Sequence, residues 1–207
     1  MNDLLRSLAL NNIPNKKLQE KLLLISNSEL DLQSKNVKTI AINRYAESNI
    51  PIEYWDLKMG KDFYGDIRLL NKYNEYVLDL KKTYSNGYSV CFAGNCGVGK
   101  TMTASCILKK CCEKGYTALY TNISDIINTI LYAPNEDKFL AKRELSMVEF
   151  LCIDELDNRY YYQSDISNDM FAKTFESIFR VRLSNKLPTL IATNSPNIKE
   201  TFISFFK

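Results

Sequence analysis

Gly94-Asn95-Cys96-Gly97-Val98-Gly99-Lys100-Thr101 has the residue types and spacing of a phosphate-holding loop, G-x-x-x-x-G-K-[ST]. Its glycines allow positive φ and close backbone approach, so successive N–H groups can turn inward as an anion nest at the positive end of a following helix. Lys100 then reaches the β- and γ-phosphates of ATP, the Thr101 hydroxyl ligates Mg²⁺, and Met102 completes the nucleotide-binding stretch as the chain enters the helix. The bland alternative is a glycine turn with no ligand.

A second group lies downstream, where the apolar run Met147-Val148-Glu149-Phe150-Leu151-Cys152-Ile153 ends in Asp154-Glu155. A buried parallel strand delivers both carboxylates at its C-terminal edge, where doubly wound sheets bind ligands. Asp154 is placed to hold Mg²⁺ through water, and Glu155 to orient and deprotonate an attacking water. A further strand, the fourth in the chain, residues 187–194, ends in Thr193-Asn194. Asn194 is placed beside the acidic pair to hold the lytic water or the γ-phosphate; otherwise it is a turn-forming Asn after a strand.

The chain has no histidine, which removes Ser-His-Asp and Cys-His catalysis. Its six cysteines fall inside expected strands, helices and the loop, with no pair of C-x-x-C motifs, so free thiols in a reducing compartment and no zinc are expected. Cys96 is either a thiol able to make nucleotide binding modification-sensitive or a tolerated small residue. With 207 residues, 45% of them hydrophobic, the chain can bury a full core, and a net charge of +3 permits a nucleic-acid partner without arguing for one. Neither a signal peptide nor an apolar run of membrane-spanning length is evident, so a cytoplasmic protein without a membrane partner is expected.

The elements that must position these groups follow from periodicity. Residues 88–93 read as a strand, 102–114 as a helix closed by Gly115, and 117–121 as a second strand, which makes a βαβ unit. Residues 123–131 read as a helix broken at Pro134, then comes a polar helix with Lys138, Lys142 and Arg143 close to Tyr132. Residues 165–185 form a long helix bearing Arg180 and Arg182 near its end. Upstream, residues 1–48 read as a helical appendage, with Pro14 at a helix start and Ser28-Glu29-Leu30-Asp31 as a capping box opening a second helix. It either packs on the domain behind it or grips a partner protein. Ser48-Asn49-Ile50-Pro51 punctuates the chain where the second unit, 49–207, begins, Pro51 starting an extended segment. Ile50, Tyr54 and Trp55 offer either a wall for the adenine base or a packing cluster, and residues 67–80 form an amphipathic helix ended by Ser85-Asn86-Gly87.

In this order the motifs resemble Walker A, Walker B and sensor 1 of an AAA+ ATPase. More narrowly, the chain resembles the DnaC/DnaI-type bacterial and phage replicative helicase loaders, which include the IstB-like transposition ATPases. The segments that carry the resemblance are residues 49–55, the loop 94–101, Cys152-Ile153-Asp154-Glu155-Leu156, and residues 182–194. It implies an α/β fold, a P-loop AAA+ type parallel sheet flanked by helices, with a small helical N-terminal appendage. It also implies an ATPase acting in a bacterial or phage-infected cytoplasm, self-associating through the ATPase domain, whose appendage grips a hexameric helicase while the rest binds ATP-Mg²⁺ and single-stranded DNA. In such a ring, Tyr132, Lys138, Lys142 and Arg143 border the path of a DNA strand. The family continues past sensor 1 to an arginine finger, whereas this sequence reaches Lys207 first. Either the usual C-terminal end is lacking, or Arg180 or Arg182 serves a neighbouring site. The alternatives in function are a nucleotide-gated adaptor that binds ATP without turnover and, less favoured, a small-molecule kinase, for which no arginine-rich lid is evident.

Overall fold

In the computed structural model, residues 15–156 and 165–195 are described. The helix start expected at Pro14 and the chain after Ser195 lie outside them. The elements run α1 (Asn15–Ser26), α2 (Leu32–Glu47), a 3₁₀ turn (Ile52–Tyr54), α3 (Ile67–Leu78), α4 (Leu80–Asn86), β1 (Val90–Ala93), α5 (Lys100–Glu113), β2 (Ala118–Asn122), α6 (Ile123–Tyr132), α7 (Asn135–Met147), β3 (Phe150–Asp154), α8 (Asp165–Ser184) and β4 (Thr189–Thr193).

The four strands form one parallel sheet in the order β1-β4-β3-β2. Residues of β3 and β4 are buried throughout, as strands covered on both faces must be. Alternation sends Phe150 and Cys152 into a core built with α2, α3 and α5, and sends Leu151 and Ile153 into a second core under α6, α7 and α8. Because β4 lies between β1 and β3, its C-terminal end separates the loop after β1 from the carboxylates after β3. That topology turns three motifs distant in sequence into neighbours.

Three expected boundaries shift for local reasons. The cap of α2 is Asp31, whose carboxylate accepts from Ser34 N at 2.9 Å and Ser34 Oγ at 2.7 Å. Ser28 instead donates from Oγ to Ile25 O at the end of α1. The helix expected over 67–80 breaks at Asp79 (φ −139°, ψ 80°), whose side chain caps α4 through Lys82 N at 3.0 Å. Met147 belongs to α7 rather than to the acidic strand.

The helices before Pro51 are fastened to the nucleotide fold. Tyr45 donates from its hydroxyl to Glu113 at 2.7 Å, Arg44 Nη1 donates to Cys112 O at 2.8 Å, and Ile42, Tyr45 and Ala46 enter the core that contains Phe92 and Ile107. Among the described residues no helix is long and apolar enough to cross a membrane.

Glu144 on α7 carries a measurable consequence of burial, which raises its carboxyl from an ordinary 4.5 to about 7. The native state therefore holds a proton between about pH 4.5 and 7 that the unfolded chain has released, and stability falls as pH rises through that window. Glu144→Gln is expected to raise the thermal midpoint at pH 8, with the gain shrinking as pH drops through 7 and gone below 4.5. Thermal melts across this pH range check it.

Candidate nucleotide site

At the end of β1, Gly94 N donates to Thr193 O at 3.3 Å, continuing the pairing with β4 before the chain turns away. Gly97 (φ +82°) and Gly99 (φ +98°) then take conformations that side chains resist, and Gly99 is the N-cap of α5. A Cβ on Gly99 would also lie 2.4 Å from the Phe63 ring, which would have to shift to admit it. Asp66 N donates to Val98 O at 3.1 Å, and Phe63 packs against the loop from the outside. The loop is thus braced by residues 63–66, a support that the sequence reading missed. Its signal was Gly65 followed by Asp66, the N-cap of α3.

Lys100, the first residue of α5, is buried, and its ammonium donates to Gly94 O at 2.8 Å, Asn95 O at 2.7 Å and Asn194 Oδ1 at 2.8 Å. Every ammonium hydrogen has an acceptor, which holds a cation at the mouth of the loop beside the helix N-terminus. Asn194 therefore meets the lysine directly, across 94 residues of sequence.

Asp154 is 4% exposed at the end of β3. Its Oδ1 accepts from Glu155 N at 2.7 Å and its Oδ2 from the Tyr120 hydroxyl at 2.7 Å. Burial and the neighbouring Asp154 push the Tyr120 phenol far above its ordinary range, so it remains a donor. Glu155 adopts φ +55°, an uncommon conformation for a residue with a side chain, and its side chain is exposed. The surrounding chain holds it there: Leu156 N donates to Ala192 O at 3.0 Å and Thr193 Oγ1 donates to Leu156 O at 2.5 Å. Non-glycine residues kept in this region cluster at functional sites.

A cleft of about 310 Å³ brings Lys100, Thr101, Asp154, Glu155 and Asn194 together, with Cys96, Gly97, Gly99 and Met102 on the loop side and Tyr54 opposite. Thr101 and Asp154 offer one hydroxyl and one carboxylate. Among the described residues no group of three or more His, Cys, Asp or Glu could hold a metal alone. A sparse, hard-oxygen set of this kind fits Mg²⁺, which keeps several waters and completes its shell with substrate phosphates.

Other expected residues lie elsewhere. Trp55 is buried, donating from Nε1 to Ile50 O at 2.7 Å and meeting Tyr45 edge-on at 6.1 Å, so the packing reading holds for it and only Tyr54 of the pair reaches the cleft. Arg182 does not serve a neighbouring site: it is 1% exposed, its guanidinium enclosed by acceptors from α7, β4 and the turns beside them. Arg180 is exposed and donates to Glu176 Oε1 at 2.8 Å from Nε. Of the candidate DNA-contact residues, Tyr132 and Arg143 are exposed and Lys142 is half-buried, while Lys138 donates to Leu131 O at 3.0 Å and so caps α6. None of the four lines the cleft.

Solved structures share this fold. DnaA from Aquifex aeolicus bound to AMPPCP superposes with a TM-score of 0.57 at 14% identity, over 76% of this chain and 48% of its own. A DnaI structure gives 0.57 at 17% identity over 74% and 85%, and a DnaC helicase loader gives 0.57 at 23% over 74% and 86%. The chain therefore spans about half the length of DnaA and most of the two shorter structures. No curated protein matches it in sequence. The profile of the "ATPase family associated with various cellular activities (AAA)" matches residues 90–204, more than half of the chain, from β1 through the loop and the acidic strand to beyond Asn194. The chain belongs to this AAA family.

Proposed function

We propose that this chain is an ATP-dependent loader of a hexameric replicative DNA helicase, working in the cytoplasm and binding ATP-Mg²⁺ and single-stranded DNA. The observation that carries the ATPase part is the single cleft in which β4 places Asn194 on Lys100 and beside Asp154 and Glu155. In this reading the loop amides and Lys100 hold the phosphates, and Thr101 and Asp154 hold Mg²⁺, which when bound draws charge from the β- and γ-phosphate oxygens. Glu155 orients a water and takes its proton as the water oxygen bonds to the γ-phosphorus. The bond from that phosphorus to the β–γ bridging oxygen breaks, releasing ADP. Asn194 holds the same water or the γ-phosphate.

The loader assignment is supported by the likeness to DnaI and to a DnaC helicase loader over most of their lengths. Exposed Leu23, Leu24, Val37 and Ile40 on α1 and α2 make residues up to 48 the partner-binding region in this account. Tyr132, Lys142 and Arg143 are its DNA-facing side chains, and neighbouring copies meet through the ATPase fold. One observation favours a second reading, the nucleotide-gated adaptor. With Arg182 enclosed, Arg180 is the only arginine left of the two considered for a finger, and it is engaged by Glu176.

Glu155→Gln separates binding from chemistry. It is expected to keep ATP affinity and to lower turnover by about 10²–10⁴-fold, the usual contribution of a general base. Filter binding and steady-state phosphate release check it; unchanged release removes Glu155 from its role.

A further inference from the structure

We propose that Tyr120 is a positioning residue for the Asp154 carboxylate, and that it ties this carboxylate to the end of α2. The inference rests on the ATP-Mg²⁺ reading of the cleft. β2 pairs with β3 so that Tyr120 lies opposite Cys152 and Asn122 opposite Asp154, and the tyrosine side chain crosses this register diagonally to reach Asp154 Oδ2 at 2.7 Å. Each carboxylate oxygen then has one donor, Tyr120 O–H on one side and Glu155 N–H on the other, which fixes the plane of the group and leaves lone pairs for a cation or its water.

The same tyrosine is held by both of its main-chain groups. β2 is an edge of the described sheet, and its outer side is paired where α2 ends: Tyr120 N donates to Ser48 O at 2.8 Å, and Tyr120 O accepts from Asn49 Nδ2 at 3.0 Å. Asn49 is the left-handed residue (φ +54°) that closes α2, with Asn49 N donating to Ala46 O and Ile50 N to Tyr45 O. Ser48 in turn sits 3.2 Å from Cys112 Sγ on α5, the helix whose first residue is Lys100. A shift of α2 relative to the sheet would therefore act on the residue that orients Asp154, through bonds and with no contact to nucleotide. A solely structural tyrosine would fill space in the same place without caring about metal.

The test titrates Mg²⁺ against binding of a fluorescent ATP analogue to the full chain, with parallel measurements in chelator. Tyr120→Phe keeps the ring and removes the donor; it is expected to raise the half-saturating Mg²⁺ about tenfold, in line with other residues that orient metal ligands, while affinity in chelator stays unchanged. Asn49→Ala, which loosens the main-chain tether and leaves the hydroxyl in place, is expected to shift the Mg²⁺ midpoint in the same direction by a smaller factor. An unchanged Mg²⁺ midpoint in both variants, or equal weakening with and without metal, overturns the positioning role. A wild-type chain that binds no analogue under either condition overturns the ATP reading together with this inference, so the two failures are told apart.

Discussion

Arg182→Ala is expected to destabilise the domain by roughly 3–5 kcal/mol, because it strips several buried neutral acceptors of their shared donor. Arg182 Nη1 donates to Leu145 O at 2.9 Å and Val148 O at 2.8 Å, Nη2 to Pro188 O at 2.6 Å, and Nε to Thr189 Oγ1 at 2.8 Å. These acceptors come from the last turn of α7, whose carbonyls lack helical partners, and from the entry to β4. One planar guanidinium satisfies groups that water cannot reach, and alanine would leave several of them unpaired at about 1–3 kcal/mol each before relaxation. Burial costs the arginine something, lowering it from 12.5 to about 10, but it remains charged at neutral pH. Arg182→Lys cannot reproduce the fork and should recover only part of the loss. Arg180→Ala, two residues away on an exposed face, should change stability by less than about 1 kcal/mol. Urea unfolding of the three variants checks this. Unchanged stability in Arg182→Ala would contradict the structural role.

The second large effect is on nucleotide. Lys100→Ala is expected to lower turnover by on the order of 10²–10³-fold or more, the magnitude found when one preorganised donor to a developing charge is deleted, and to weaken ATP binding as well. The basis is local: the ammonium is held at the loop mouth by Gly94 O, Asn95 O and Asn194 Oδ1, so its charge is fixed there and one of these bonds is exchanged for a phosphate oxygen when nucleotide binds. Because Asn194 shares this lysine, Asn194→Ala should lower turnover more than it lowers affinity, a split that a turn-forming role would not produce. Calorimetric ATP titration with steady-state phosphate release measures both quantities for each variant.

What the sequence showed plainly was whatever its neighbours determine. The loop, the Asp154-Glu155 pair and Thr193-Asn194 are short patterns tied to the ends of apolar strands, and all three meet in the cleft. Helix and strand positions also came through, apart from Met147, which ends a helix rather than opening a strand, and places where a single polar residue redirects the chain, as Asp31 and Asp79 do by capping. Long-range bonds were hidden. Tyr120 on Asp154, Phe63 on Gly99 and Arg182 on the ends of α7 and β4 join residues 34, 36 and 37 or fewer positions apart, and nothing in local periodicity marks them. Arginine near a helix end reads equally well as an exposed finger or a buried clamp, and only the packing of α7 against α8 decides it.

The most direct test of the account is steady-state ATP hydrolysis with Mg²⁺ by the purified chain, alone and with single-stranded DNA plus a hexameric replicative helicase. The account predicts turnover that rises with these partners and disappears in Lys100→Ala. Tight ATP binding with no turnover under any of these conditions would contradict it and leave the nucleotide-gated adaptor in its place.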